Sequence, residues 1–370
     1  MVGFGWPSLV PGPKRAKRTM RTFYQVLGIA LVLFVHASSK ELRRLTLQEL
    51  ESDPYFMTGA QPFVLTGAMA NWTSLKVFQD LSFFKKNYSR SIVDYYPNNL
   101  AKTGDKPYLR DMGSVMDEFV NVPTKESPNF EERYDHSRYI HWRMTLPEYK
   151  EIESMFSPLP KFMKVDEVWM KKCFPGKRSE SDWPLNNFFR HAHWRIIVIG
   201  ERYSSMFLHA DGFETATYVT QFVGRKRWMV CSPEEGLKFG VAGLHDLFHP
   251  ESIDLKAYPS LQHVDCTDTV VKPGEIIYYP AHWWHQTLNL DTPTISMAGR
   301  RIDALNYDEV ARGLKKKCSS EQMDVEKRWP GAAPILKERV CANIERCHEI
   351  WDLLWDTPTT FFEAAKSLRL

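Results

Sequence analysis

Two segments distant in the chain carry complementary metal-binding groups, and only a fold that lays them side by side makes use of both. The first runs Phe207-Leu208-His209-Ala210-Asp211-Gly212-Phe213, the second Tyr278-Tyr279-Pro280-Ala281-His282-Trp283-Trp284-His285. In an extended segment residues i and i+2 face the same way, so His209 and Asp211 can serve one ion from one strand. His285 then has to arrive on a second strand. Two imidazoles and one carboxylate are the donor set of a non-haem Fe(II) centre with open coordination positions. Between the segments lies Gly224-Arg225-Lys226-Arg227-Trp228, a turn leading into an apolar run. Alternation puts Lys226 and Trp228 on one face and Arg227 on the other, so one of these cations turns inward. A lysine there acts as a point charge for the carboxylate of an organic co-substrate. A solvated cation in a basic turn is the plainer alternative.

The surrounding chain reads as many short strands between Gly/Pro turns. Residues 61–67, 91–96, 138–142 and 194–200 are β-branched or aromatic runs. Residues 215–223 and 226–231 read as strands paired about Gly224-Arg225, and 269–271, 276–279 and 287–290 as further strands. Such a series argues for a double-sheet jelly roll. Helical stretches are expected over 41–61, 72–88 and 114–120, and 161–173 is helix or loop. The long segment 232–265 is of a length that is usually functional or carries short structure of its own. From residue 302 the pattern changes to helix-period apolar positions amid charge, over 307–317, 321–329 and 335–355.

The chain has 370 residues, 43% of them hydrophobic, enough for one large domain with an appendage or for two domains. A net charge of +3 with mixed signs makes nucleic acid an unexpected partner. The six cysteines form no C-x-x-C pair, which argues against a structural zinc site. Cys318, Cys341 and Cys347 could supply a disulfide in an oxidising compartment; free thiols are the alternative.

Residues 1–40 hold no acidic side chain, and Lys14, Arg15, Lys17, Arg18 and Arg21 precede the apolar run 23–37. These are the parts of a secretory signal peptide. The run would span roughly 22 Å as a helix, short of a hydrocarbon core of about 30 Å, so a cleaved signal is preferred to a membrane anchor. A mitochondrial presequence ranks third. The sequons at Asn71 and Asn87 fit a luminal chain. The secretory pathway, in the endoplasmic reticulum lumen or outside the cell, is the expected location, with membrane contact only through this segment.

The ordered set H-x-D, glycine-turn lysine and P-x-x-W-W-H resembles the JmjC family of 2-oxoglutarate-dependent oxygenases, in the cupin-like branch of arginine-demethylase/lysyl-hydroxylase type. The likeness runs from about Pro62 to about Arg301. It implies a mainly β fold, a double-stranded β-helix (jelly roll, cupin, JmjC type) with an N-terminal α/β lead-in and a C-terminal helical region. The corresponding organisation is 1–39 as signal peptide or anchor, 40–137 as N-terminal part, 138–302 as jelly-roll core and 303–370 as helical region. It implies Fe(II) on His209, Asp211 and His285, with His282 the rival three residues before the last. It also implies 2-oxoglutarate held by Lys226, by Tyr139 (His141 if the register slips) and by Thr217. Val219, Met206 and Ala298, with Ser296 a same-face step away, depart from the family pattern near that pocket.

The activity so implied is hydroxylation of a protein or peptide side chain with O2 and 2-oxoglutarate, or demethylation when the carbon attacked is an N-methyl group. No catalytic residue beyond the metal ligands is expected. The alternatives are a catalytically weak or inactive binding or scaffold module, a tRNA-base hydroxylase, and a cupin-type metal enzyme that does not use 2-oxoglutarate. The C-terminal helices could cover a sheet edge or make a homodimer.

Overall fold

The computed structural model describes residues 41–302 except 54–55, 57–59, 98–106, 122–136, 161–162, 164–188, 191–192, 213–214 and 242–255, with a few positions between 306 and 312. The chain begins with β1 (Arg44–Thr46) and α1 (Leu47–Ser52), whose Thr46 and Glu49 satisfy each other's backbone N–H as a capping box. There follow β2 (Phe63–Thr66), α2 (Ser74–Val77), α3 (Ser82–Tyr88), β3 (Ile92–Tyr96), β4 (Tyr108–Asp111), α4 (Met112–Asn121), β5 (Tyr139–Arg143) and α5 (Leu146–Ile152). The second half is mostly strand: β6 (Arg195–Gly200), β7 (Ser205–Ala210), β8 (Ala216–Val223) and β9 (Lys226–Cys231). Helix α6 (Pro233–Val241) precedes β10 (Cys266–Val271), β11 (Ile276–Tyr279), β12 (Trp284–Asn289) and β13 (Thr294–Arg301). The helix expected over 72–88 is interrupted because the Asp80 carboxylate accepts from the N–H and hydroxyl of Ser82, a local bond that competes with continuation.

Nine strands form one sheet in the order β1-β2-β11-β8-β13-β6-β5-β3-β4, and four form another in the order β10-β9-β12-β7. The expected mainly β double-stranded β-helix is therefore corrected. The fold is mixed α/β, and among the described strands no ladder joins the two sheets into a closed barrel. Alternation reveals which faces of a strand are apolar but not which strand lies beside it. Here both faces of the large sheet are apolar. One packs Trp142, Ile197, Tyr218 and Phe222 under Phe78, Phe84 and Tyr149 from the helical segments. The other packs Val64, Val219 and Ile277 against Trp228 and Val230 of the small sheet. Burial on two sides explains why β6 is mostly apolar with little alternation and why β8 is buried along nearly its whole length, its Thr217, Thr220 and Gln221 included.

The hairpin expected about Gly224-Arg225 is a second correction. β8 pairs with β11 and β13, while β9 pairs with β10 and β12, so the turn carries the chain from one sheet to the other. Gly224 has φ +66, and a Cβ there would meet the Pro293 carbonyl at 2.6 Å, so both backbone conformation and space demand glycine. A disulfide joins Cys231 to Cys266 across β9 and β10. Cys318, Cys341 and Cys347, the helices expected over 321–329 and 335–355, most of that over 307–317 and the N-terminal segment lie outside the described residues. Among the described residues no helix is long and apolar enough to cross a membrane.

Candidate metal centre

β7 and β12 are antiparallel neighbours, with His209 directly opposite His285. This register brings the two imidazoles together, their ring centroids 4.3 Å apart, and the i+2 spacing adds Asp211. His209, Asp211 and His285 each offer one ligand atom within 4.8 Å of the others. Asp211 Oδ1 lies 3.8 Å from His209 Nε2. Both imidazoles are oriented alike. His209 Nδ1 lies 2.7 Å from the Phe207 carbonyl and His285 Nδ1 3.1 Å from the Trp283 carbonyl. A carbonyl can only accept, so Nδ1 carries a proton in each ring, and in the neutral ring that a metal ligand requires Nε2 holds the lone pair.

The electrostatics agree with that protonation. Burial, with His209 next, pushes the His285 imidazole down to about 3, leaving it neutral. Burial alone would raise the Asp211 carboxyl, but Arg300 first, then His285 and His209, outweigh it and hold the carboxyl well below its usual range. The other oxygen of Asp211, Oδ2, is bound by three donors. The Thr217 hydroxyl donates at 2.7 Å, the Tyr279 phenol at 3.1 Å and Arg300 Nη1 at 2.7 Å.

Lys226, at the start of β9, is 2% exposed and lies between the sheets, while Arg227 pairs with Asp268 on the other face. Its ammonium donates to Ser296 Oγ at 2.9 Å and to the Tyr139 hydroxyl at 3.3 Å. No carboxylate pairs with it among the described residues, and burial pushes it down to about 7. Tyr139 and His141 share a face of β5, their rings 4.7 Å apart; burial raises the Tyr139 phenol and pushes the His141 imidazole down to about 3. His282 sits apart from the cluster, with φ 65 and its Nε2 3.7 Å from Glu309. Val219 packs with Trp228 and Ile277, and Met206 and Ala298 pack beside Tyr139, Ile196 and Val198.

The structure thus gathers His209, Asp211 and His285 in one cluster and Lys226 with Tyr139 in another. It places Thr217 on the Asp211 carboxylate. Arg300, Tyr279 and the Ser296 contact to Lys226 were not singled out as site contacts from sequence. The same period-2 step from Ala298 reaches Ser296 in one direction and Arg300 in the other, so β13 did carry the clue.

These residues suit the groups that such a set would hold. Three hard or borderline donors on one side leave room for a divalent metal with open positions. The buried cation, which has no carboxylate partner among the described residues, suits the far carboxylate of a dicarboxylic acid.

The chain belongs to the cupin-like domain family, whose profile matches residues 50–298. Within that family the two-histidine, one-carboxylate cluster is the donor set of the JmjC/cupin-like Fe(II)- and 2-oxoglutarate-dependent oxygenases. The chain is similar to the 2-oxoglutarate and iron-dependent oxygenase JMJD4 of Mus musculus, with 30% identity over 161 residues, 42% of this chain and 37% of that protein. It is similar to JmjC domain-containing protein 8 of Rattus norvegicus, with 29% identity over 174 residues, 42% of this chain and 57% of that one. Arginine-specific demethylase JMJ20 of Arabidopsis thaliana is 22% identical over 288 residues, 73% of this chain and 59% of the plant protein. In each case the match spans less than two thirds of the relative's length.

Proposed function

We propose that this protein is an Fe(II)- and 2-oxoglutarate-dependent oxygenase that hydroxylates a protein side chain, or demethylates one through hydroxylation. One observation carries the reading: a two-histidine, one-carboxylate cluster lies in the same inter-sheet space as a buried lysine that has no carboxylate partner among the described residues. His209, Asp211 and His285 would hold the metal, and Lys226 with Tyr139 and Ser296 would hold the far carboxylate of the co-substrate. When bound, the two supply oxidative chemistry, in which 2-oxoglutarate and O2 become succinate and CO2 while one oxygen atom enters a substrate C–H bond. The protein's own part is positional. The Nδ1–H bonds to the Phe207 and Trp283 carbonyls fix the imidazole tautomers, and burial keeps His285 neutral at physiological pH. The walls around Lys226 exclude water, which strengthens its attraction for a carboxylate.

The finer reading, the arginine-demethylase/lysyl-hydroxylase type of cupin-like JmjC domain, rests on the glycine-turn lysine and on the tyrosine paired with it. Location in the secretory pathway is supported by the basic and apolar N-terminal composition, by the sequons and by the Cys231–Cys266 disulfide.

The test is conversion of 2-oxoglutarate to succinate by residues 40–370 with Fe(II), alone and with candidate peptides. Turnover that His209→Ala abolishes supports the proposal. Absence of succinate, together with no stabilisation of the protein by Mn(II) plus 2-oxoglutarate, would leave a binding module instead.

A further inference from the structure

Among the described residues, the Asp211 carboxylate is held by donors on one side only. Oδ2 receives the Thr217 hydroxyl, the Tyr279 phenol and Arg300 Nη1, while Oδ1 faces His209 Nε2. Arg300 Nη1 also donates to Thr217 Oγ1 on β8 at 3.0 Å and passes 3.4 Å from Thr215 Oγ1 just before that strand, so the guanidinium is tied to a strand-borne hydroxyl as well as to the carboxylate. The elements are rigid neighbours. Arg300 on β13 lies directly opposite Thr217 on β8, which in turn lies opposite Tyr279 on β11. Three adjacent strands of the large sheet thus present three donors to one oxygen of a residue just past the end of β7, in the small sheet.

We propose that Arg300 is a positioning residue, which with Thr217 and Tyr279 occupies Asp211 Oδ2 and leaves Oδ1 as the single oxygen offered to the metal. This rests on the metal reading above and deepens it. A carboxylate free to turn could present both oxygens and fill a coordination position that a chelating co-substrate or O2 needs. A carboxylate locked through Oδ2 cannot. The arrangement is also a link between the sheets, which no ladder joins among the described strands, because the ion pair ties the residue just past β7 to β13.

Two roles for Arg300 predict opposite signs. A guanidinium beside a metal dication repels it, so an arginine present only for packing would, when removed, let the metal bind more tightly. An arginine that orients Asp211 would, when removed, let it bind more weakly. The experiment is Co(II) uptake by the metal-free full-length protein, followed by visible absorption and needing no turnover. Arg300→Leu is expected to weaken Co(II) affinity roughly 10–100-fold. Arg300→Lys is expected to fall between, since it keeps a cation on Asp211 but not the bond to Thr217. Thr217→Val is expected to weaken uptake by less, and the double variant by no more than Arg300→Leu alone, because both act on the same oxygen.

Unchanged or tighter Co(II) binding in Arg300→Leu would overturn the proposal, as would fully additive losses. Should Arg300→Leu fail to fold, Thr217→Val decides alone: wild-type affinity there overturns the assignment. A wild-type protein that takes up no Co(II) would remove the metal reading itself, an outcome distinct from equal uptake by wild type and variants.

Discussion

Replacing Lys226 with methionine keeps an unbranched side chain one heavy atom shorter and removes the charge, and the structure predicts opposite effects on stability and binding. Lys226 is 2% exposed, and burial lowers its ammonium from 10.5 to about 7. With about 1.36 kcal/mol per pKa unit, keeping that amine buried in the co-substrate-free protein costs on the order of 4 kcal/mol near pH 7. Methionine escapes that cost and fits the apolar wall made with Trp228, so the variant should melt at a higher temperature than wild type. Binding moves the other way. Truncating one partner of a buried, hydrogen-bonded charge pair costs roughly 2–5 kcal/mol, or about 30- to several-thousand-fold in 2-oxoglutarate affinity.

Thermal melting in Mn(II), with and without 2-oxoglutarate, reads both terms at once. At 100 times the wild-type Kd the ligand stabilises wild type by about 2.7 kcal/mol, whereas a Kd weakened 100-fold leaves about 0.4 kcal/mol. The pH dependence follows from the same depressed pKa. Between about 7 and 10.5 the unfolded chain binds a proton that the folded one has lost, so this group makes stability rise with pH across that window, and Lys226→Met removes the slope. Affinity for 2-oxoglutarate should fall as pH rises above about 7, because the neutral amine offers no charge. A methionine variant that binds 2-oxoglutarate as tightly as wild type would refute the reasoning, and so would one that melts lower.

Other perturbations test the fold around the site. Arg138 and Glu201 form a buried ion pair, with Glu201 only 1% exposed and also accepting the Arg138 backbone N–H at 2.8 Å, so Glu201→Gln should lower unfolding free energy by about 3–5 kcal/mol in urea titrations. Cys231→Ser with Cys266→Ser opens a loop of 35 residues, and the chain-entropy estimate is a loss of roughly 3–4 kcal/mol, checked by melting under non-reducing conditions. Gly224→Ala forces a Cβ into a left-handed turn against the Pro293 carbonyl, for which about 1–3 kcal/mol of destabilisation is expected by calorimetry.

Local periodicity carries short-range information and nothing further, and this chain divides along that line. The i, i+2 relation of His209 and Asp211, the opposite faces of Lys226 and Arg227, and the shared face of Tyr139 and His141 could all be read from alternation, because strand geometry fixes them within a few residues, but which of the two cations turns inward could not. Strand pairing could not be read that way. Residues 215–223 and 226–231 look the same whether the glycine turn closes a hairpin or passes the chain between sheets, and only the ladders distinguish the two. For the same reason a series of short strands suggested a jelly roll, whereas the strands sort into nine and four with helices over the outer face. The surroundings of the metal ligands were likewise set at long range. Asp211 meets Arg300 and Tyr279, and Lys226 meets Ser296, only because separate strands converge. Residue chemistry and spacing, with the family resemblance choosing His285 over His282, named the donors; pairing across the sheets decided what each donor would touch, since those contacts depend on loop closure and packing that no local pattern encodes.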